Sequence, residues 1–395
     1  MSEEQGKKIL VGEQPGGAEE NVNNIVEVAK TFGVSPFKQL WDIFRLRRSP
    51  TYLTDRDYYS YLLFRPELSI EEKRQFVGVR SSFNLNVKLS PPDLTQMRGF
   101  LGDKVTFLAL MRHLGFGAAE TQALVSNDRI LGNMPVLRSV EDIVAFLEND
   151  ARYPLFGKPV IGYQAVGTVG IKGKGGVRGT LELINGETAQ ITRMAEEIME
   201  SFSEGYMLQS LVPQHPDISE YAGMAVGTVR VVTVIEDKFP QVLYAVWKIP
   251  SRTAMSDNFW QKGSMLCAVD EKTGTVLSCR YGKGVGQKLI EDHPETGKRI
   301  VGFKLPHWDK VCELATSVHG IYPVNGCLGW DIAIGPDGPE IVECNENTGH
   351  DFYQMATGRG PLNEDLMPHF ERVIARSKRL EQALLDKRKK IAAKA

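Results

Sequence analysis

Paired cysteines are missing from this chain of 395 residues. Its five cysteines (Cys267, Cys279, Cys312, Cys327 and Cys344) are odd in number and show no C-x-x-C spacing. That excludes a disulfide framework and a zinc ribbon. Long apolar runs are missing as well, since no stretch approaches the ~18 apolar residues of a membrane span. Residues 1–20 are polar and glycine-rich rather than a basic start followed by an apolar core. Neither a signal peptide nor a transmembrane helix is expected, and a reducing, cytoplasmic setting follows. The chain also lacks a net charge of either sign, its formal total being −2. That total averages unlike parts: residues 371–395 carry nine Lys/Arg against three Asp/Glu. A basic tail on an acidic body is not the footprint of a dedicated nucleic-acid binder. The signatures G-x-S-x-G, H-E-x-x-H, G-x-x-x-x-G-K-[S/T] and G-x-G-x-x-G are all absent. Serine-hydrolase, zinc-protease, Walker-loop and Rossmann readings lose their support.

What is present is ordinary globular composition, 42% hydrophobic and 24% charged, at a length for two or three domains. Residues 21–75 read as short helices broken by Pro36, Pro50 and Pro66, and Ser69 to Glu72 fits a capping box. Residues 104–115 predict a helix stopped by glycine, residues 155–184 a strand, a glycine-rich turn and a strand, and residues 189–203 an amphipathic helix. Three strong strand signals follow. Val226–Ile235 is long and β-branched, Gln241–Lys248 is its hairpin partner, and Leu328–Ile334 and Glu340–Asn345 flank the turn Gly335-Pro-Asp-Gly338.

Three constellations carry chemistry. In the last hairpin, alternation puts Glu343 and Asn345 on one face, and symmetry about Asp337 places Asp331 across from Glu343. Two carboxylates and an amide oxygen converging in this way suit Mg2+ shared with substrate phosphates, or else form the polar face of an exposed hairpin. Secondly, Phe156-Gly-Lys158-Pro precedes a glycine-rich stretch over residues 167–176. Such a lysine and loop either cradle a phosphate or make a flexible turn. Thirdly, Arg230 sits inside the apolar run 226–235. It points outward, meets a structural carboxylate, or clamps a phosphate or carboxylate ligand.

Taken in order, these pieces resemble the ATP-grasp superfamily, and within it the sugar-transfer-associated, alpha-L-glutamate-ligase-related family. The pieces run from Gly102-Asp-Lys104 through Phe156-Gly-Lys158, Leu208 to His215, Gly227-Thr-Val-Arg230 and Asp257-Asn-Phe to Gly329-Trp-Asp331 and Glu343-Cys-Asn345. The fold class implied is α+β, two lobes holding ATP between them behind a helical N-terminal region. The boundaries expected are 1–90 for that region, 91–205 for the first lobes, 206–370 for the C-terminal lobe and 371–395 for the basic tail. By the resemblance, Lys104 and Lys158 contact ATP phosphates, and Gly170 and Gly173 belong to the loop covering them. Gln209, Ser210, Leu211 and Val212 hold adenine, Asp331, Glu343 and Asn345 hold two Mg2+ or Mn2+ ions, and Arg230 is catalytic. Lys248, Arg252, Asn258 and His350 are expected at the acceptor pocket.

The activity implied is ATP-dependent joining of a small-molecule or peptide carboxylate to an amine through an acyl phosphate, in polysaccharide or natural-product modification. Kinase chemistry on the same fold and a non-catalytic ATP-binding module stay open. So does a membrane-surface adaptor working through the tail. No nucleic acid and no stable membrane insertion are expected, and a homodimer is compatible with the sequence. Arg230→Ala and Glu343→Gln are expected to abolish ATP turnover and leave the fold intact.

Overall fold

The computed structural model describes residues 9–10, 19–94, 98–162, 166–257, 259, 261 and 263–393. Seven helices come first: α1 (Glu19–Phe32), α2 (Pro36–Arg47), α3 (Asp55–Ser60), α4 (Ile70–Lys73), α5 (Val79–Leu89), α6 (Arg98–Gly102) and α7 (Lys104–His113). Their starts are built by side-chain caps. Ser35 caps α2, and Thr54/Asp57 and Ser69/Glu72 form full capping boxes on α3 and α4. Each box satisfies amide donors that a helix start otherwise leaves orphaned.

The first sheet contains β1 (Thr121–Val125), β2 (Val136–Leu137), β3 (Leu155–Pro159), β4 (Val169–Lys174), β5 (Thr180–Leu183), β6 (Thr188–Gln190) and β7 (Tyr206–Ser210). Their spatial order is 2-1-7-3-4-5-6. One face packs on α8 (Val140–Ala145) and α9 (Ile191–Ser201) through Leu155, Val169, Ile171, Tyr206 and Leu208. The period of two then turns Phe156, Lys158 and Gln209 to the opposite face. β7 pairs with both β1 and β3, at the centre of the first sheet. The glycine-rich stretch is not a loop either: residues 169–174 are β4, and the turns lie before and after it. The reason is burial. Val169 and Ile171 are core residues, and a Cβ on Gly170 would lie 2.3 Å from Ile184. Gly170 therefore serves a close sheet approach.

After α10 (Pro216–Ala222) the second sheet contains β8 (Val229–Ile235), β9 (Pro240–Ile249), β10 (Met265–Val269), β11 (Val276–Tyr281), β12 (Lys288–Ile290), β13 (Cys327–Ile334) and β14 (Pro339–Asn345). The order is 12-11-10-9-8-13-14, and every pairing is antiparallel. Both faces are covered. Val229, Val231, Trp247 and Trp330 pack on α11 (Trp308–Ile321), α10 and α7. Val232, Val234 and Val246 pack on the other side, in one core with Leu46, Tyr58, Phe64 and Phe76 of the N-terminal region. Residues 25–89 are thus a covering layer of the second sheet, whereas the Ile9 and Leu10 amides donate to Glu197 on the far side of the first sheet. Gly326 shows how closely they meet: a Cβ there would lie 2.1 Å from the Leu89 carbonyl oxygen at the end of α5.

The chain ends with α12 (Asp351–Thr357) and α13 (Met367–Ala392). The first half of α13 is docked, not solvated. Phe370 and Val373 are buried, Arg376 donates to the carbonyls of Asp237 (2.9 Å) and Pro323 (2.7 Å), and Ser377 donates to Leu89 (2.7 Å). Among the described residues no helix is long and apolar enough to cross a membrane.

Candidate functional site: a charged cleft between the two sheets

A cavity of about 520 Å³ lies between the inner faces of the two sheets, a size suited to a nucleotide. Its first-sheet wall is apolar, with Phe156, Leu211 and Val212 beside Gln209. Its second-sheet floor is ionic, because register brings charge to one face there. Arg230 of β8 lies opposite both Asp331 of β13 and Val246 of β9, and Lys248 is two residues beyond Val246 on the same face.

The floor is a chain of opposite charges. Arg230 Nε donates to Asp331 Oδ1 at 2.5 Å, and its Nη2 donates to Oδ2 at 3.0 Å. Lys248 Nζ donates to the same Oδ2 at 3.1 Å and lies 2.9 Å from Asp257. Asp257 also accepts from the Thr228 hydroxyl and from its amide, the latter at 3.3 Å. Phe352 closes one side, its ring centroid 5.2 Å from the Arg230 guanidinium carbon and 5.7 Å from Lys248 Nζ. Burial opposes the charge on Asp331, but the Arg230 and Lys248 cations outweigh it and hold the carboxyl far below the usual carboxylate range. Burial likewise opposes the charge on Lys248, and Asp257 and Asp331 raise its pKa above the ordinary lysine value.

Two further lysines face the floor. Lys104, first residue of α7 after the Asp103 cap, donates to the Val160 carbonyl at 3.1 Å and lies 3.9 Å from Glu343. Lys158 reaches the Val342 carbonyl at 3.5 Å. Burial pushes the Lys158 ammonium down to about 8; Glu343 opposes this fall and Lys104 adds to it. Asp351 lines the same cavity, its pKa raised by burial against the pull of Arg230. Three buried atoms of lining residues have no hydrogen-bond partner: Gln209 Oε1, Ser256 Oγ and Asn345 Nδ2.

The pairing of Asp331 with Glu343 is present, and a bulge between Asp331 and Ile332 sets it: from Ile332 to the turn the register is one residue shorter. Among the described residues no group of three or more His, Cys, Asp or Glu stands together, so an ion here would depend on the Asn345 oxygen. Lys104, Lys158, Gln209, Leu211, Val212, Arg230, Lys248, Asp331, Glu343 and Asn345 all line the cavity.

Six of the residues expected at the site stand elsewhere or are not described. Ser210 faces away, its hydroxyl bonded to Glu120 (3.1 Å) and Gln122 (3.0 Å). The amides of Ser210 and Leu211 already donate to the carbonyls of Glu120 and Pro154. Gly170 and Gly173 are inside β4; among the described residues between β3 and β4, Gly162, Val166 and Thr168 line the cavity instead. His350 is wholly buried behind the wall, with Nδ1 2.8 Å from the Tyr244 hydroxyl, and burial pushes its pKa down to about 4. Arg252 is exposed and does not line the cavity; it donates to the Glu220 carbonyl at 3.4 Å and lies 3.9 Å from Glu295. Asn258 lies outside the described residues. Asp257, Asp351 and Phe352 were not among the expected site residues, although Asp257 opens the Asp257-Asn-Phe motif and Asp351 directly follows His350.

Two lobes closing on such a cleft define an ATP-grasp protein, and the family comparison agrees: residues 176–371 match the model of the sugar-transfer associated ATP-grasp family. Over those residues the chain is similar to that family. The match covers the whole second sheet and leaves Lys104 and Lys158 before its start. No curated protein matches the chain by sequence. Similar solved structures include the D-alanine–D-alanine ligase of Coxiella burnetii, at 12% identity and TM-score 0.43, covering 78% of this chain and 64% of that one. The L-amino acid ligase of Bacillus licheniformis is similar at 11% identity and TM-score 0.36, covering 65% of this chain and 43% of that one. The D-Ala:D-Ser ligase of Enterococcus faecalis is similar at 16% and 0.40, covering 70% and 61%. The chain thus spans less than two thirds of each of these three ligases.

Proposed function

We propose that the cleft binds ATP with Mg2+ and that the chain is an ATP-dependent ligase, joining a carboxylate to an amine through an acyl phosphate. The observation that carries this reading is the division of the cleft. An apolar slot with the unpartnered Gln209 oxygen lies beside four cationic head groups (Lys104, Lys158, Arg230 and Lys248) that face the carboxylates of Asp331 and Glu343, with Asn345 lining the same cavity. The slot suits a purine, and Gln209 Oε1 would accept from its amino group. Lys104 and Lys158 would hold phosphate oxygens as point charges.

Glu343 and the Asn345 amide oxygen fit a hard divalent cation, and Asp331 joins them once one of its three donors turns to the phosphate. The bound ion would neutralise charge on the transferring phosphoryl group. In the reaction a carboxylate oxygen bonds to the γ-phosphorus as the bond to the bridging oxygen breaks, releasing ADP. The amine nitrogen then bonds to the acyl carbon, phosphate departs and the nitrogen loses a proton. Arg230 and Lys248 lie on the cleft floor to bind and orient the acyl phosphate, so the protein contributes position and charge rather than a general base.

ADP release measured over pairs of carboxylates and amines with Mg2+ tests this reading. A ligase releases ADP only when a carboxylate is supplied, and hydroxylamine traps the intermediate as a hydroxamate. A stable phosphorylated product would replace the reading with a kinase. ATP binding without substrate-stimulated release would replace it with an assembly module.

Lys158 adds a pH dependence. It is protonated below about 8 and neutral above, so ATP affinity should be flat below that pH and fall above it. Calorimetric titration between pH ~6.5 and ~9.5 should show this limb in the wild type and not in Lys158→Met. An identical limb in the variant would remove Lys158 from the phosphate site.

A further inference from the structure

Helix α2 is apolar on both of its faces. Ile43 and Leu46 point into the core, while Phe37, Leu40, Trp41 and Phe44 recur at helical spacing on the outside. Phe37 is 79% exposed and Trp41 52%. A surface helix ordinarily turns charged residues to water, so this outer stripe is fitted to something other than water. The stripe continues through the loop after α2 into α5. The Ser81 hydroxyl donates to the Thr51 carbonyl at 2.5 Å, Arg80 lies over the Tyr52 ring, and Tyr52, Val79 and Phe83 are exposed.

The second observation is charge. Beside the stripe lies a cavity of about 640 Å³ lined by Phe44, Arg45, Arg48, Ser49, Thr51 and Arg74. Arg48 stacks over Phe44 at 3.8 Å. Among the described residues none of these three arginines has a carboxylate partner. The acid on α2, Asp42, is buried and committed to Lys73 at 2.7 Å. Aromatic side chains flanked by arginines, with no acid among them, match the acyl–headgroup boundary of an anionic bilayer. A second copy of the chain fits poorly, because a two-fold contact would set the same arginines against themselves.

We propose that the outer face of α2, with the arginine-lined cavity beside it, is a docking surface for an anionic lipid bilayer. Arg45, Arg48 and Arg74 would take lipid phosphates, with Phe37, Trp41 and Phe44 at the acyl boundary. The surface is peripheral, distinct from the cleft and from the basic tail, and it does not depend on the ligase reading.

The test is co-sedimentation of the full chain with phosphatidylcholine vesicles, with and without about 30% phosphatidylglycerol, at low and high salt. Binding is expected only to the anionic vesicles and is weakened by salt. Phe37→Ser with Trp41→Ser, and separately Arg45→Glu with Arg48→Glu, should each lower partitioning at least about tenfold. ATP turnover should not change in either variant. Should a double variant fail to fold, tryptophan fluorescence decides: the wild type shifts to the blue on anionic vesicles, and Trp41→Phe removes that shift. Absence of binding would overturn the proposal, as would equal binding to neutral vesicles. So would binding lost only on deleting residues 381–395, or a dimer in light scattering that the same variants disperse.

Discussion

Arg230→Ala is expected to lose about 3 kcal/mol of folding stability together with at least about 100-fold of ATP turnover. The sequence alone suggests an intact fold for this variant; the geometry does not. Arg230 and Asp331 are both buried and joined by two hydrogen bonds. Removing the guanidinium leaves a carboxylate in the sheet with Lys248 as its remaining donor. Breaking a buried pair ordinarily costs ~3–5 kcal/mol, and the surviving lysine places this case at the lower end. Urea denaturation followed by circular dichroism measures the first effect, and ADP release measures the second. Arg230→Lys keeps the charge and loses the paired geometry, so it should recover most of the stability and little of the turnover. An unchanged urea midpoint in Arg230→Ala would show that the floor of the cleft tolerates an uncompensated Asp331, contrary to this account.

The parts of the fold legible in the sequence were those with a local cause. Val226 to Ile235 reads as a strand because β-branched residues dominate it, and β8 occupies most of it. The last hairpin reads from Gly335-Pro-Asp-Gly338, and Asp331 does face Glu343. That pairing depends on a bulge, a feature with no sequence signal of its own here, so symmetry reached the right partner without the local geometry. The parts that did not read were long-range. Glycines at 170, 173, 175 and 176 look like a loop in sequence, and only the contact between Gly170 and Ile184 shows why a glycine stands in a strand. His350 looks like a ligand beside a motif until Tyr244, 106 positions earlier, is seen to take its Nδ1. Asp257 gains its place on the floor through Thr228 and Lys248, the latter carried there by the β8–β9 register. Charge on a strand face is thus readable from alternation, and its partner across a tight hairpin from symmetry, whereas partners brought by loops and distant strands are not.

Glu343→Gln should lower ATP turnover by roughly a thousandfold, about 4 kcal/mol of transition-state stabilisation, and leave the urea midpoint nearly unchanged. The two halves of this expectation have separate causes. Glu343 is 26% exposed, and its recorded cation, Lys104, is 3.9 Å away. A pair this open contributes less than about 1 kcal/mol to folding, so its loss is small. Under the proposed function, however, Glu343 is the carboxylate most free to hold Mg2+, because Asp331 is occupied by Arg230 and Lys248. The amide keeps the shape of the side chain and removes its negative charge, so the Mg2+ concentration needed for half-maximal rate should rise together with the fall in turnover. A second readout comes from Lys158. Glu343 holds the Lys158 pKa up against burial. Without it, the limb in ATP affinity should move to lower pH, and a merely structural role for Glu343 would not shift that limb. Turnover at the wild-type rate in Glu343→Gln would end the assignment of the ion to Glu343 and Asn345.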